Sequence, residues 1–317
     1  MPGRTEGGTI VTVDGRELRL LRDEPLARYT TFRIGGPADY LLRASDVDTL
    51  ESALAWAERE GMPVTVIGGG SNLLVRDGGV RGLVIVYRAS STAQEHAVRF
   101  TSEDSRVLLD VPATVPLSWL GHRTSELGLA GLEWAAGLPG VVGGAVVNNA
   151  GAHGGEIGQS LVDVELYDLP RRTLVRWSRE QLAPTYRKTT LKAMPQPRDY
   201  VVLRVRLLLQ PSDPAELLRT AATNARWRRE HQPTGPCAGS VFANPPGTFA
   251  GYLIEHAGLK GLQVGRMRVS DRHANFFLNL GGATASEALT LMEEVQRRVA
   301  ERFGVQLEPE IEIIGEP

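Results

Sequence analysis

Alternating and helical patterns of apolar residues divide the chain into successive regions. Residues 1–28 carry two short alternating runs, TIVTV and ELRLL, ahead of the polar pair Asp23 and Glu24, and predict two strands packed as a leader. From Tyr29 to Leu42 a turn-rich stretch runs into a further strand. Over residues 47–60, Leu50, Leu54, Ala55 and Ala57 fall at helical spacing, with Gly61 placed as a stop. The runs PVTVI and GLVIVY complete a strand, helix, strand unit, so residues 29–90 read as a compact α/β subdomain.

The pattern then becomes strand-rich. Over residues 91–211, RVLLDV, LVDVELYDL, TLVRW and YVVLRVRLLL read as strands, with PRR as a hairpin turn and a helix over 117–127. Residues 212–317 form a third region, with helices over 213–230, 249–256 and 285–303 and strands near 263–264 and 275–279. Thr284 and Glu287 predict a capping box for the last helix, whose apolar face holds Ala288, Leu291, Val295, Val299 and Phe303. The terminal LEPEIEIIGEP alternates apolar and acidic residues and predicts a strand with one wet face.

Two glycine-rich stretches interrupt this pattern. VIGGGSNLL, residues 66–74, follows a β-branched run and leads into apolar LLV, so it reads as strand, loop, strand. Three glycines let the backbone present N–H groups at close range to an anion, and Ser71 and Asn72 add side-chain donors. No Gly-Lys-Ser/Thr follows and no GxGxxG opens onto a helix, which excludes two familiar phosphate loops and leaves backbone amides to hold the phosphates. Residues 137–158 hold eight glycines in twenty-two positions, too many for an ordinary core element. Two such loops on adjacent domains suit a long ligand bearing several phosphates; a tight turn of small residues is the plainer alternative for either alone.

Composition narrows the chemistry further. At 317 residues the chain exceeds one ordinary hydrophobic core. A net charge of −2 offers no general attraction for nucleic acid or an anionic membrane. No signal-like or bilayer-spanning apolar run is present, so a cytoplasmic protein is expected. One cysteine, Cys237, permits no internal disulfide, and the six histidines show no metal-ligand spacing, so no metal is expected.

Six motifs then carry a resemblance: GGGSNLL, GLPGxxGGAVxxNAGAxGGEIG, YR at 186–187, AGSVFxNP at 238–245, GLKG at 258–261 and LEPEIxIIGE at 307–316. Collinear between residues 68 and 316, they resemble the UDP-N-acetylenolpyruvoylglucosamine reductase family, of the type lacking an extra tyrosine loop. The resemblance implies an α+β fold: a two-subdomain FAD-binding unit of the vanillyl-alcohol-oxidase (PCMH) type plus a C-terminal α+β substrate domain. It implies NADPH as hydride donor, non-covalent FAD, the enolpyruvyl ether of UDP-N-acetylglucosamine as substrate, and UDP-N-acetylmuramate for peptidoglycan as product. A monomer is expected.

By the same resemblance Arg187, Ser240 and Glu310 are the catalytic residues. An arginine can bind the substrate carboxylate through two N–H bonds. Serine supplies the proton that quenches charge at C2 and needs a polar site to do so. The glutamate can polarise the enolate if burial keeps it protonated. FAD contacts are expected from Gly68, Gly69, Gly70, Ser71, Asn72 and Leu73, and from Pro139, Gly140, Gly143, Gly144, Asn149, Gly151, Gly155 and Ile157. Arg228 is expected to reach a phosphate, and Tyr186, Asn244 and Lys260 to contact substrate.

The chain departs from the pattern at His231 and Ala243, where many relatives carry lysine, and at His153, where tyrosine is usual. Histidine at 231 makes a diphosphate contact weaker or pH-dependent. Two other readings stay open: an oxidase or dehydrogenase on the same scaffold, which has no reason to keep Arg187, Ser240 and Glu310 together, and a non-enzymatic nucleotide- or flavin-binding protein.

With no attachment residue expected from the resemblance, acid precipitation of the purified protein should release all of its yellow colour. Flavin absorbance retained in the washed pellet would contradict non-covalent binding.

Overall fold

In the computed structural model, which describes residues 8–13, 15–88 and 98–317, the first alternating runs pair into a sheet. Strands β1 (Gly8–Val13), β2 (Arg16–Pro25), β3 (Pro37–Ala44), β4 (Val64–Ile67), β5 (Leu73–Val75) and β6 (Val80–Tyr87) follow one another along the chain. All but β5 form one sheet, ordered β1-β2-β3-β6-β4. Because β2 pairs antiparallel with β3, with Leu21 opposite Leu41, the leader is part of this sheet and not a separate layer. Alternation specifies strands but not their partners. The expected boundary at residue 90 lies outside the described residues.

Helix α1 (Val47–Arg59) starts where the Asp46 carboxylate accepts the Thr49 N–H at 2.8 Å, and ends before Gly61 at φ +64°. Its buried face carries Leu50, Ala53, Leu54, Trp56 and Ala57. A second sheet is antiparallel throughout its main path: Thr173–Ser178, Leu161–Asp168, Tyr200–Pro211, then β8 (Arg106–Pro112) and β7 (Arg99–Glu103). Every residue of β7 is exposed, so no apolar alternation marked it in the sequence. The two sheets share one core, in which Leu50, Leu83 and Ile85 join Leu109, Val164 and Leu207. Helix α2 (Leu117–Glu126) packs into the same core through Leu117 and Leu120.

The second glycine-rich stretch does build a core element, contrary to the composition argument. Helix α3 (Val142–Val147) buries Val142, Gly143, Ala145 and Val146. Small residues are what allow it: a Cβ on Gly143 would come within 2.8 Å of the Ala113 Cβ, so the helix backbone lies directly on the neighbouring chain.

The third region has its own core, where Phe242, Leu253, Phe277, Met292, Val295 and Val299 meet Phe32, Ile34 and Leu74 of the first region. Its last helix, Ala285–Phe303, carries the expected Thr284–Glu287 capping box and stops at Gly304, φ +68°. The chain then returns to the first region, where the strand Glu312–Ile314 pairs in parallel with β5, Glu312 opposite Leu73. The expected wet face is wrong here: the Glu310 and Glu312 side chains are only 14% and 13% exposed. Their alternation marks an inward polar face.

Asp77, in the turn after β5, joins the first region to the last helix. Its carboxylate accepts the Ala285 N–H at 2.7 Å, the Ser286 N–H at 2.9 Å and the Ser286 hydroxyl at 2.6 Å. Burial raises its pKa, but these three donors outweigh that and hold it below its ordinary 3.8. Asp77→Ala should cost about 1–2 kcal/mol in urea unfolding, as lost N-terminal caps do. A depressed pKa contributes stability above the unfolded value and loses it as pH falls through the folded one. The gap between variant and wild type should therefore be full at pH 7 and close below pH 3.8.

Candidate active site

A cavity of about 660 Å³ opens where the regions meet. Gly68 to Leu73 form part of its wall, and Pro139, Gly140, Gly143, Gly144 and Gly151 another part. The two glycine stretches touch: a Cβ on Gly69 would sit 2.8 Å from the Gly140 Cα, and one on Gly68 would sit 2.7 Å from Val141 Cγ2. Asn72 Nδ2 donates to Asn148 Oδ1 at 2.9 Å, tying the loops together. Among the described residues, no hydrogen bond is donated by the main-chain N–H of Gly69, Gly70, Ser71 or Asn72. Consecutive free amides, glycines with no room for side chains and a cavity within the ordinary 300–1,000 Å³ range for ligand sites fit a bound dinucleotide such as FAD. Arg228 fits as well. It lies on the cavity wall, burial lowers its pKa, and its guanidinium makes no ion pair among the described residues.

Arg187, Ser240 and Glu310 all line this same cavity. Arg187 sits at φ +55° on a tight turn closed by Thr185 N–H to Lys188 O at 2.9 Å and Lys188 N–H to Thr185 O at 3.1 Å. Its Nη2 donates to Gly151 O at 2.6 Å, and its Nε lies 2.8 Å from Glu310 Oε1. That Nε–H is not aligned for a hydrogen bond, so the contact is one of charge. Burial raises the Glu310 pKa, with Arg187 and Lys192 pulling the other way. Ser240 is half-buried and follows Gly239 at φ +78°. Its neighbour Val241 accepts the Glu310 N–H at 2.8 Å, so serine and glutamate lie on adjoining backbone segments.

Other expected residues fall elsewhere. Asn149, fully buried, is no part of the cavity wall: its Nδ2 donates to Thr185 O at 2.8 Å and its Oδ1 accepts the Gly158 N–H at 3.0 Å. It therefore holds the turn that carries Arg187. Gly155 packs against the Trp134 ring, and Ile157 is fully buried in the main core. Asn244 is on the wall; its N–H donates to the Tyr186 hydroxyl at 3.5 Å and its Oδ1 accepts the Ala250 N–H at 3.0 Å. Tyr186 is half-exposed, with the Arg187 guanidinium 5.4 Å from its ring. Lys260 lies off the wall and pairs with Glu255 at 2.6 Å.

The departures also have places. His153 is on the wall, edge-on to Trp227 at 5.3 Å, and burial and then Arg228 lower its pKa, which keeps the ring neutral at pH 7. His231 stacks on the other ring neighbour of that pair, Trp227, at 4.5 Å, exposed and away from the cavity. Ala243 also lies off the wall. Sequence reasoning missed Gln196, Arg198, Trp227 and Glu312 on the wall and Lys192 beneath it. Glu312 was readable in principle, two residues from Glu310 in the strand expected over LEPEIEIIGEP and so on its face there.

Residues 38–178, a span that takes in both glycine loops, match the FAD binding domain family, and with the relatives that follow the chain is an FAD-dependent oxidoreductase. Residues 231–314 match the UDP-N-acetylenolpyruvoylglucosamine reductase C-terminal domain. A reductase of that name from Rubrobacter xylanophilus is 47% identical, over 93% of this chain and 95% of the relative. One from Agathobacter rectalis is 42% identical, over 96% and 97%. A crystal structure of the Thermus caldophilus reductase superposes with a TM-score of 0.74 at 37% identity, covering 93% of this chain and 98% of that one. The chain belongs to the UDP-N-acetylenolpyruvoylglucosamine reductase family, which acts in peptidoglycan precursor synthesis. Among the described residues no helix is long and apolar enough to cross a membrane, and no cluster of His, Cys, Asp and Glu could hold a metal.

Asn149→Ala leaves the buried Gly158 N–H without a partner and takes one of two donors from the Thr185 carbonyl, which keeps the Lys188 N–H. A loss of about 1–3 kcal/mol in urea unfolding is expected, the cost of one orphaned buried group. An unchanged unfolding midpoint with weakened FAD binding would instead make Asn149 a direct flavin contact.

Proposed function

We propose that the protein reduces the enolpyruvyl ether of UDP-N-acetylglucosamine to UDP-N-acetylmuramate, with NADPH as hydride donor. The observation that carries this reading is the Arg187–Glu310 charge contact at 2.8 Å, set beside the Ser240 segment in one cavity with the flavin cradle. What FAD supplies when bound is two-electron transfer: a hydride accepted from NADPH and then delivered to C3 of the substrate. Gly68 to Leu73, Pro139 to Gly144, Gly151 and Arg228 are the residues proposed to hold it, without a covalent link.

Arg187 takes the substrate carboxylate. Its turn, buttressed by Asn149, fixes the guanidinium in advance, so little reorganisation is needed when charge develops. Glu310 acts as a neutral carboxyl. Burial favours that form, and donation to the enolate oxygen spreads the charge left as hydride reaches C3. Ser240 gives its hydroxyl proton to C2, completing addition across the double bond, and recovers a proton from solvent. Tyr186 and Asn244 bind the sugar nucleotide at the mouth; Lys260, paired with Glu255 off the wall, has no support for that role.

Stopped-flow absorbance separates the two halves of this chemistry. Wild type should bleach with NADPH and recover colour only when the enolpyruvyl sugar nucleotide is added. Ser240→Ala should bleach normally and recover about 10²–10⁴-fold more slowly, the usual cost of losing a positioned general acid. Bleaching by a small alcohol or sugar, with recovery driven by oxygen, would favour an oxidase, and equal slowing of both phases would mean a displaced flavin.

A further inference from the structure

Lys192 has no part in the chemistry derived so far, yet it lies beneath the site. It belongs to the short helix Thr190–Ala193, which follows the Arg187 turn and is capped by the Thr189 hydroxyl. Its Nζ donates to the Glu310 carbonyl at 2.9 Å. Asn72 Nδ2 donates to the same oxygen at 3.3 Å. Lys192 is half-buried; burial lowers its pKa, while Glu312 and then Glu310 raise it and Arg198 and Arg187 lower it. Glu312 is itself engaged, 2.9 Å from Arg198 Nη2 and accepting from Gln196 Nε2 at 3.0 Å.

Burying an ammonium is costly unless it is paired. A carbonyl held by a neutral donor such as Asn72 would need no such charge. The structure therefore places a cation under Glu310 in addition to Arg187. The two cations differ in what substrate does to them. Arg187 faces the cavity and is required by an incoming carboxylate, whereas Lys192 bonds to main chain beneath and stays.

We propose that Lys192 is a positioning residue for the reduction: it fixes the Glu310 main chain and remains as the neighbouring cation when Arg187 turns to the substrate carboxylate. Two consequences follow. Losing the tether lets the carboxyl drift from the reacting atoms. Losing the charge removes an influence that favours ionised Glu310, so the carboxyl stays protonated to higher pH. Because Glu310 acts protonated, activity falls as pH rises through its pKa, and that alkaline limb moves upward.

This rests on the functional reading above, and the test keeps the two apart. FAD-loaded wild type, Lys192→Met, Lys192→Gln, Lys192→Arg and Glu310→Gln are compared for flavin content, melting temperature and the pH profile of NADPH oxidation with the enolpyruvyl substrate. Glu310→Gln identifies the limb by abolishing it. Lys192→Met should keep FAD, lose about 10- to 100-fold in turnover, as misplaced catalytic groups do, and move the limb up by about one to two pH units. Lys192→Gln keeps a donor for the carbonyl, so its turnover loss should be smaller with the same displacement. Lys192→Arg should return the limb towards wild type. Flavin reduction by NADPH alone should be unchanged in the Lys192 variants. Should Lys192→Met fail to fold, Lys192→Gln decides. Wild-type turnover and limb in the FAD-loaded neutral variants overturn the proposal, as does a loss of FAD or turnover without any displacement, which would make Lys192 mere scaffolding. No oxidation by wild type itself would defeat the functional reading instead.

Discussion

The main chain of one residue, Glu310, holds the site together. Its N–H donates to Val241 O at 2.8 Å, and its carbonyl accepts from Lys192 at 2.9 Å and Asn72 at 3.3 Å. Each partner comes from a different part of the chain: the Ser240 segment, the helix after the Arg187 turn and the glycine loop of the first region. A buried peptide group must be satisfied, so moving any one of these segments leaves an orphaned donor or acceptor. The parallel pairing of Glu312–Ile314 with β5 then carries the registration into the first region. On the proposed reading, residues 308–317 are consequently what brings substrate chemistry to the flavin site.

The cradle itself depends on absent side chains. Gly68 and Gly69 lie against Val141 and Gly140 at distances no Cβ could occupy, and Gly140 at φ +104° leaves no room beside the Ser71 hydroxyl. Strand, loop, strand geometry gives this loop no helix terminus, so on the proposed reading fixed amides and the half-buried Arg228 provide the positive field. Arg228 has no carboxylate of the protein paired with it among the described residues, which on the proposed reading leaves its charge for a phosphate of the flavin. Asp77 does the opposite at Ala285 and Ser286, occupying the N-terminus of the last helix with a carboxylate of the chain itself.

Much of this was legible before any coordinates. The last helix, its capping box and its stop read directly because local rules and packing agree there. The glycine loop read as strand, loop, strand for the same reason. What failed to read was placement relative to distant segments. β7 carries no apolar alternation because its whole surface is wet. The acidic residues of LEPEIEIIGEP follow the pattern of a solvated face, as Glu308 and Glu316 are, and only the arrival of Arg187, Lys192 and Arg198 from 110 to 125 positions away makes Glu310 and Glu312 internal. Asn149 sits in a motif full of ligand-facing glycines, and nothing local distinguishes a buttress from a contact. Lys192 in KTTLK looks like any surface lysine; its burial comes from the strand above it.

The Arg187–Glu310 contact also constrains how charge enters the site. With both groups ionised the pair is neutral, and burial penalises either charge left alone. On the proposed reading a substrate carboxylate arrives carrying one negative charge and claims the guanidinium. Arg187 can then balance only one of two carboxylates, and Glu310 is the one that can change form. Taking up a proton removes its charge, leaves Arg187 paired with substrate, and gives Glu310 a hydrogen to donate at the position where enolate charge develops. The same step that seats the substrate thus arms the acid, and the buried setting of Glu310, which would be a liability for a permanent anion, is what makes the exchange favourable.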